Sequence, residues 1–458
     1  MRAIIILIFL TSTYQSSLAQ DQEQKCRKSS SLVQGVVGLR SFWMSTSYWE
    51  DFKDDYALGQ SAFLQLKTRE FHGFSLVGRY AVIGNSWSSD LTGRDPVSGN
   101  FNRYEVGLFD VTNTSNKFFG RLEEFQLLYQ TTKFTATVGK MLVNTPFVNP
   151  QDGRLSPTFV EGFSLGFKPD GKNQFSADLI TRISPRSTSG WYRVGESIGL
   201  YPVGQSVLGK PSGYIGNTSS QFVSILDWKH KVTPEMVIQV NHTFVENISS
   251  TLLGQVNNDW KLEGSETKLV TGLQFILQHG VGDGGNPDPL KQYKDPDDLN
   301  FVFSGRIGLK NPKMIWYANY TRIDGSGRFL SPREWGRDTF FTFIPRERNE
   351  GYNQVDALTV YYQRNFLKSG IQVYGNAGLH FLPDPSRVEI NKYGFPSYAQ
   401  LNIGSKYAPV GWGKGLDFHL ILMNKINMRS GEIKPQWIYN KVNMVHVNFI
   451  MNYTIQWN

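Results

Sequence analysis

Polar and apolar residues take turns along much of this chain, most regularly in its last segment, VHVNFIMNYTIQWN, residues 445–458. A β-strand repeats every two residues, so such alternation describes the two faces of one extended segment. One face carries Val445, Val447, Phe449, Met451, Tyr453, Ile455 and Trp457, and the other carries His446, Asn448, Asn452, Thr454 and Gln456. A strand of this kind fits a soluble β-sandwich as well as a membrane barrel, so the remaining sequence has to separate the two.

About eighteen segments of the chain alternate in this way, and their connections are short and long in turn. The predicted strands lie near 31–44, 57–67, 71–82, 120–130, 134–142, 161–168, 174–183, 220–230, 235–245, 250–261, 267–278, 300–309, 314–323, 355–364, 371–380, 398–407, 416–428 and 443–456. Segment 250–261 alternates poorly, but without it every later long loop would fall on the rim of short turns. Short turns on one rim and long loops on the other are typical of an up-and-down membrane barrel.

The first residues indicate export from the cytoplasm. MRAIIILIFLTSTYQSSLAQ has Arg2 near its start, an apolar run over 3–10, and small residues at Ser17 and Ala19, which together predict a signal peptide over 1–19. We expect a short N-terminal segment over 20–30 and one barrel domain over 31–458. The single cysteine, Cys26, has neither a lipoprotein motif around it nor a disulfide partner.

Composition separates a barrel from a helical membrane protein. After the signal, no apolar run approaches the roughly 18 to 20 residues of a helical span, and the mean hydropathy is −0.33. Aromatic residues make up 14% of the chain, and there are 44 glycines. A lipid-facing band in a barrel needs only every second residue to be apolar. The sequence therefore predicts an all-β fold, a transmembrane antiparallel up-and-down β-barrel of about eighteen strands.

Several stretches resemble the OprD family of outer-membrane porins, and the similarity extends over nearly all of the mature chain. They are GLRSFWM with SYWEDF; GKMLVNTPFVNPQDGRLSPTFVEGFSLGF; NFVFSGRIGL to YANYTRIDGSG; and ALTVYYQRNF with GLDFHLILMNKINM. The resemblance implies a divergent, monomeric, eighteen-stranded member whose third and seventh loops fold inward to narrow the pore. It also implies a row of basic residues along one inner wall. The strands near 416–428 and 443–456, usually rich in arginine in this family, carry His419, Lys425 and His446 here.

Alternation also assigns charges to the inside of the barrel, because the apolar face of each strand has to meet lipid. This places one set of basic side chains in the lumen, namely Arg40, Lys67, Arg79, Arg306, Lys406 and Lys425, and two acidic ones, Glu124 and Asp417. A charge on the lipid side would cost about 2 to 4 kcal/mol near the midplane. We call these six basic residues the lumen track. They either attract carboxylates or are ordinary charges of a water-filled channel, neutralised by neighbouring acids or by solvent.

Two long loops are candidates for the constriction. The third loop contributes Asp152 and Arg154, and the seventh contributes Arg333, Arg337, Arg346 and Arg348, with Glu334 and Asp338 beside them. Fixed charges at a narrow point set both attraction and exclusion of solutes. For the seventh loop, a solvated surface cap is the alternative.

Other motifs in the sequence give little support for a binding or catalytic site. GVGDGG at 280–285 is followed by NPDP instead of a helix, which argues against a dinucleotide site, and the aspartates nearby suit a solvated loop better than a calcium site. We see no catalytic motif and expect no cofactor, metal site or nucleic-acid partner. The predicted function is a passive outer-membrane porin for small hydrophilic solutes, carboxylate-bearing ones first. The alternatives are a porin for small oligosaccharides and a non-conducting barrel for adhesion or scaffolding.

Overall fold

The regular secondary structure is almost entirely β-strand in a computed structural model that describes residues 31–151, 153–201, 204–409, 411 and 413–457. The predicted signal peptide, the segment 20–30 and Asp152 lie outside the described residues. The strands are β1 Val33–Tyr48, β2 Asp55–Thr68, β3 Phe74–Ser88, β4 Phe118–Gln130, β5 Phe134–Met141, β6 Phe159–Phe167, β7 Asn173–Ser184, β8 Tyr192–Arg193, β9 Val223–Lys231, β10 Met236–Val245, β11 Ser249–Lys261, β12 Lys268–Gly280, β13 Leu299–Lys310, β14 Met314–Gly325, β15 Val355–Phe366, β16 Ile371–Phe381, β17 Tyr398–Tyr407, β18 Leu416–Asn427 and β19 Met444–Trp457.

These strands form one closed, antiparallel sheet. Each long strand pairs with its neighbours in sequence, and β1 pairs with both β2 and β19, which closes the cylinder. Eighteen strands make the wall, while the two-residue β8 pairs only with the loop end of β7. The predicted up-and-down barrel is confirmed. Among the described residues, no helix is long and apolar enough to cross a membrane.

The outer and inner faces follow the predicted parity. On β19, Phe449, Met451 and Ile455 are exposed on the outside, whereas His446 and Asn448 are completely buried on the inside. The same holds for Leu39 on β1, and for other residues predicted to point outward, including Leu64, Leu66, Phe74, Leu76, Phe301, Phe303, Leu401, Ile403, Leu420 and Leu422. An exterior ring of exposed apolar side chains is what hydrocarbon requires and what water would not favour.

The two rims of the barrel differ as expected, although the connections at 49–54 and 246–248 on the loop rim are no longer than turns. One carries short turns at 69–73, 131–133, 168–172, 232–235, 262–267, 311–313, 367–370 and 408–415; the other carries loops 1 to 9, at 49–54, 89–117, 142–158, 185–222, 246–248, 281–298, 326–354, 382–397 and 428–443. β11, the poorly alternating segment, is a wall strand. β1 and β3 extend further toward the loops than predicted, because hydrogen-bonded pairing continues after the lipid band ends.

Apolar side chains also point inward at the loop end of several strands. Leu253, Ile276, Val302, Ile323 and Val355, on β11 to β15, are fully buried and form one cluster with the loop residues Phe329, Phe340 and Tyr352. These inward positions therefore meet protein, and the loop half of the barrel interior is filled by packed loops.

Candidate functional site

Loop 7 crosses the inside of the barrel. It bonds to inward side chains of β12 through Gln278, whose Nε2 donates to Leu330 O at 2.8 Å, and of β17 through Gln400, whose Nε2 donates to Pro345 O at 2.9 Å. On β19, Asn448 Oδ1 accepts a bond of 2.7 Å from Arg346 Nη2. The loop is therefore packed into the barrel, and the alternative of a solvated surface cap is wrong.

Loop 3 enters the barrel from the same rim but from the opposite part of the wall, and it contacts loop 7. Asn149 N donates to Trp335 O at 2.9 Å, and Thr158 Oγ1 donates to Glu334 O at 2.7 Å. On the wall, Ser61 Oγ of β2 donates to Leu155 O at 2.9 Å. The inward fold expected of the third and seventh loops is thus confirmed, and the two loops contact each other inside the barrel.

The charged residues of these loops are held by specific partners. Arg154 has a positive φ of 49°, donates from Nη1 to Tyr104 O at 3.3 Å, and accepts a bond of 2.7 Å on its carbonyl from Arg40 Nη1. Arg333 forms a buried ion pair with Glu350 and lies 3.9 Å from the Tyr393 ring. These contacts fix the loop positions before any solute arrives.

The remaining loop residues follow the same pattern. Arg348 Nη1 donates to Arg333 O at 3.2 Å, and the Arg337 guanidinium lies 4.5 Å from the Phe343 ring. Burial raises the pKa of Glu334 and of Asp338 above the usual range of carboxyl groups. Glu334 Oε1 nevertheless accepts backbone bonds from Gly199 of loop 4, so it links loops 4 and 7.

Five of the six residues of the lumen track lie along one part of the barrel wall. Lys406, Lys425, Arg40, Lys67 and Arg79 lie on β17, β18, β1, β2 and β3, which are consecutive around the barrel apart from β19 between β18 and β1. Arg306 lies apart, on β13. There its guanidinium packs 4.4 Å from the Phe341 ring of loop 7, and its Nε donates to Asn319 Oδ1 at 2.7 Å.

Two residues of the track are buried together with a carboxylate partner. Arg79 Nε lies 2.6 Å from Glu123 Oε2, and Lys425 Nζ lies 3.5 Å from Glu347 Oε1 of loop 7, with all four side chains buried. A paired, buried charge attracts a passing solute less than an exposed one. For these two positions the neutralised reading fits the geometry better, while Arg40, Lys67 and Lys406 remain the partly exposed part of the wall.

Several inward residues were missed by the sequence analysis. Glu123 sits at a β-bulge, where the β3–β4 register shifts between Arg79 and Tyr80, so that both Glu123 and Glu124 are buried. Arg121, also on β4, is fully buried; its guanidinium donates to Pro157 O of loop 3 and to Pro185 O of loop 4, each at 2.8 Å. Alternation alone would have placed Arg121 outside, because Phe125 and Leu127 point outward and the bulge exchanges the two faces before Arg121.

Two inward aspartates were also missed. Asp178 on β7 is buried, and Asp227 on β9 accepts bonds from the Gln239 and Asn241 side chains at 2.6 and 3.1 Å. β7 and β9 lie nine strands away from β17 and β18 in the closed order of eighteen. Acidic side chains therefore face the wall that carries Lys406.

Among the comparisons with known proteins, the one with solved structures supports the fold. No family model matches the chain, and no curated protein matches its sequence. Among solved structures, Acinetobacter baumannii OccAB3 is similar with a TM-score of 0.72 and 13% identity, covering 93% of this chain and 99% of that chain. Pseudomonas aeruginosa OccK5 (OpdH) is similar with a TM-score of 0.68 and 14% identity, covering 93% and 98%.

A third solved structure, the outer membrane protein opdK from Pseudomonas aeruginosa, has a TM-score of 0.67 and 11% identity, over 93% of this chain and 99% of that chain. At such identities the likeness concerns the fold. This chain thus shares the barrel fold of OccAB3, OccK5 and opdK, as its resemblance to the OprD family implied.

Proposed function

We propose that this protein is an outer-membrane porin through which small hydrophilic solutes diffuse down their gradients, with a preference for solutes that carry a carboxylate. The observation that carries the proposal is the combination of a closed barrel, an inner wall bearing Arg40, Lys67 and Lys406, and two loops that meet inside the lumen. The shared fold with an outer membrane protein supports the location. No covalent step or energy source is part of the proposal.

The preference for carboxylates follows from electrostatics in a narrow passage. Two unit charges 4 Å apart interact by about 1 kcal/mol in bulk water and about 4 kcal/mol at an effective dielectric constant near 20. Arg40, which donates to the carbonyl oxygen of Arg154 in loop 3, acts in the second regime. The aspartates on the facing wall add a place for the positive end of a zwitterion, so amino acids suit the lumen as well as simple organic acids.

Purified protein reconstituted in planar bilayers and liposomes tests the proposal. We expect ion conductance and faster uptake of a small carboxylate than of a neutral sugar of similar size. Lys406→Ala is expected to slow carboxylate uptake about fivefold, which corresponds to about 1 kcal/mol, and to leave sugar uptake unchanged. Arg40→Ala tests the same point, although it also removes the bond to Arg154 O.

Arg364→Ala serves as the matched control, because Arg364 is exposed on the outer face of β15. Equal slowing of carboxylate and sugar by Lys406→Ala would indicate a steric role and contradict the preference. Absence of both conductance and solute flux in folded wild-type protein would contradict a porin.

The second candidate is a non-conducting barrel that serves in adhesion or as a scaffold. The observation in its favour is the density of loop packing: Trp335, Phe340 and Tyr352 of loop 7 and Leu155 of loop 3 are buried. The same bilayer measurement separates the two candidates. A porin for small oligosaccharides would show the reverse order of uptake, with the sugar faster than the carboxylate.

A further inference from the structure

Four charged residues lie side by side on the outer surface of the barrel, close to the loop rim. The strand register pairs Lys140 of β5 with Glu161 of β6, Glu161 with Arg182 of β7, and Arg182 with Arg193 of β8. We call these four residues the outer row. They form a straight line across four neighbouring strands, and directly opposed side chains on one face are about 4.5 to 5.5 Å apart at Cβ.

The side chains of the outer row point away from the lumen. On β5 and β6, Val138 and Phe163 have the same parity as Lys140 and Glu161 and are 49% and 41% exposed. On β7 the β6–β7 register shifts beside Glu161, which inserts one extra residue. Because of this bulge Arg182 is exposed on the outside, while Ile180 and Ile183 are buried on the inside.

On β5 to β7 the outer row borders the apolar band. Val138, Phe163 and Leu179, one step further toward the short-turn rim, are among the exposed apolar residues of the exterior. The Lys140 ammonium lies 3.7 Å from the ring of Trp191, a residue type that favours the boundary between lipid and water. A tryptophan beside the charged row fits a position at the level of the lipid headgroups.

The charges of the row are not balanced within the protein. Lys140 and Glu161 form an ion pair, which leaves the two arginines. Within the described part of the chain, neither guanidinium has a hydrogen bond or an ion pair, although Glu196 accepts a bond from the backbone N–H of Arg193. Like charges directly opposite each other on neighbouring strands destabilise a sheet, and an anion placed between them would remove that repulsion.

We propose that Arg182 and Arg193 bind a phosphate group on the headgroup of an outer-leaflet glycolipid, whose acyl chains lie on the apolar band next to them. Two adjacent guanidinium groups match the oxygens of a phosphate, because each can donate two parallel N–H bonds. The apolar surface that borders the row favours a lipid over a free anion. This inference rests on the proposed outer-membrane location, but not on conduction.

Binding of purified wild-type protein in detergent to lipid A with two phosphates, followed by native mass spectrometry and by thermal stability, tests the site. We expect saturable binding that stabilises the barrel, and at least a tenfold loss of affinity in the double variant Arg182→Gln, Arg193→Gln. The double variant Arg182→Lys, Arg193→Lys keeps the charge but loses the paired donors, so we expect an intermediate affinity.

Arg364→Gln is the matched control, since Arg364 is an exposed outward arginine on β15 near the short-turn rim. We expect it to bind like wild type. Dephosphorylated lipid A and inorganic phosphate are expected to bind at least tenfold more weakly than the phosphorylated lipid.

Any of three results would overturn the proposal: equal binding by the Gln double variant, equal binding of dephosphorylated lipid A, or equal binding of inorganic phosphate. Heat-dependent migration on gels verifies that each variant is a folded barrel. Bilayer conductance is measured in parallel, because lipid binding without conductance would contradict the proposed function only, and conductance without lipid binding would contradict this site only.

Discussion

At the level of single residues, the positive charges of the inner wall are of two kinds. Arg79 and Lys425 are buried against Glu123 and Glu347, whereas Lys406 is partly exposed to the lumen. Glu347 also lies 3.5 Å from Arg103 Nη2 of loop 2, so one loop carboxylate compensates two cations. Such pairs fix the positions of loops 2 and 7.

Removing one member of the Lys425–Glu347 pair leaves a buried charge without its partner. We expect Glu347→Gln to destabilise the folded barrel by about 3 to 5 kcal/mol, and the double variant Glu347→Gln, Lys425→Met to be less destabilised than the two single variants added together. Thermal unfolding of the four proteins in detergent measures this coupling. Strict additivity of the two single changes would contradict a direct pair.

Residue positions could be predicted wherever alternation runs unbroken. Arg40 and Lys406 lie on the lumen side as expected, because each belongs to a strand with a clear apolar face. The directions of Glu123 and Arg182 could not be predicted, because Glu123 lies at a bulge and Arg182 follows one. One extra residue exchanges the two faces of a strand. The loop carboxylates Glu347 and Glu350 could not be paired with their arginines, since irregular segments have no period from which to read direction.

At the level of strands and loops, the poorly alternating β11 shows what alternation omits. Leu252 is exposed to the outside, and its neighbour Leu253 is fully buried on the inside against the loop cluster. An apolar residue on the inner face near the loop rim therefore signals that a loop covers it. Ile276, Val302, Ile323 and Val355 repeat this signal on β12 to β15, and together they could have predicted the packed seventh loop.

Arg121 connects the wall to two loops at once, and we predict that it limits the width of the passage. Its guanidinium donates to carbonyl groups of Pro157 in loop 3 and of Pro185 and Thr188 in loop 4. Arg121→Met removes these bonds while it keeps an unbranched side chain. We expect larger and noisier single-channel conductance, because both loops gain freedom to move.

The control for Arg121→Met is Arg94→Met in loop 2, where an exposed guanidinium donates to Gly99 O of the same loop at 2.7 Å. We expect its conductance to equal that of wild type. Unchanged conductance in folded Arg121→Met would contradict the role of Arg121 in holding loops 3 and 4.

At the level of the whole molecule, the barrel could be predicted because hydrocarbon acts on only one face of each strand. From that single requirement one can predict about eighteen wall strands and the rim on which the long loops lie. It could not give β8, since two residues are too few to alternate. Nor could it show how far the loops fill the interior, which depends on contacts between segments far apart in sequence, such as Asn149 with Trp335.

The asymmetry of the rims predicts the orientation of the molecule in a cell. Leu208 of loop 4 is 63% exposed, and Lys313 is exposed in the turn 311–313 on the opposite rim. With Cys26, the only native cysteine, replaced by serine, we expect Leu208→Cys to react with a membrane-impermeant maleimide on intact Gram-negative cells. Lys313→Cys should react only after the outer membrane is permeabilised, because short turns face the periplasm. Labelling of Lys313→Cys alone on intact cells would mean that the barrel is inserted the other way up, and the outer row would then face the inner leaflet, where no glycolipid phosphate could reach it.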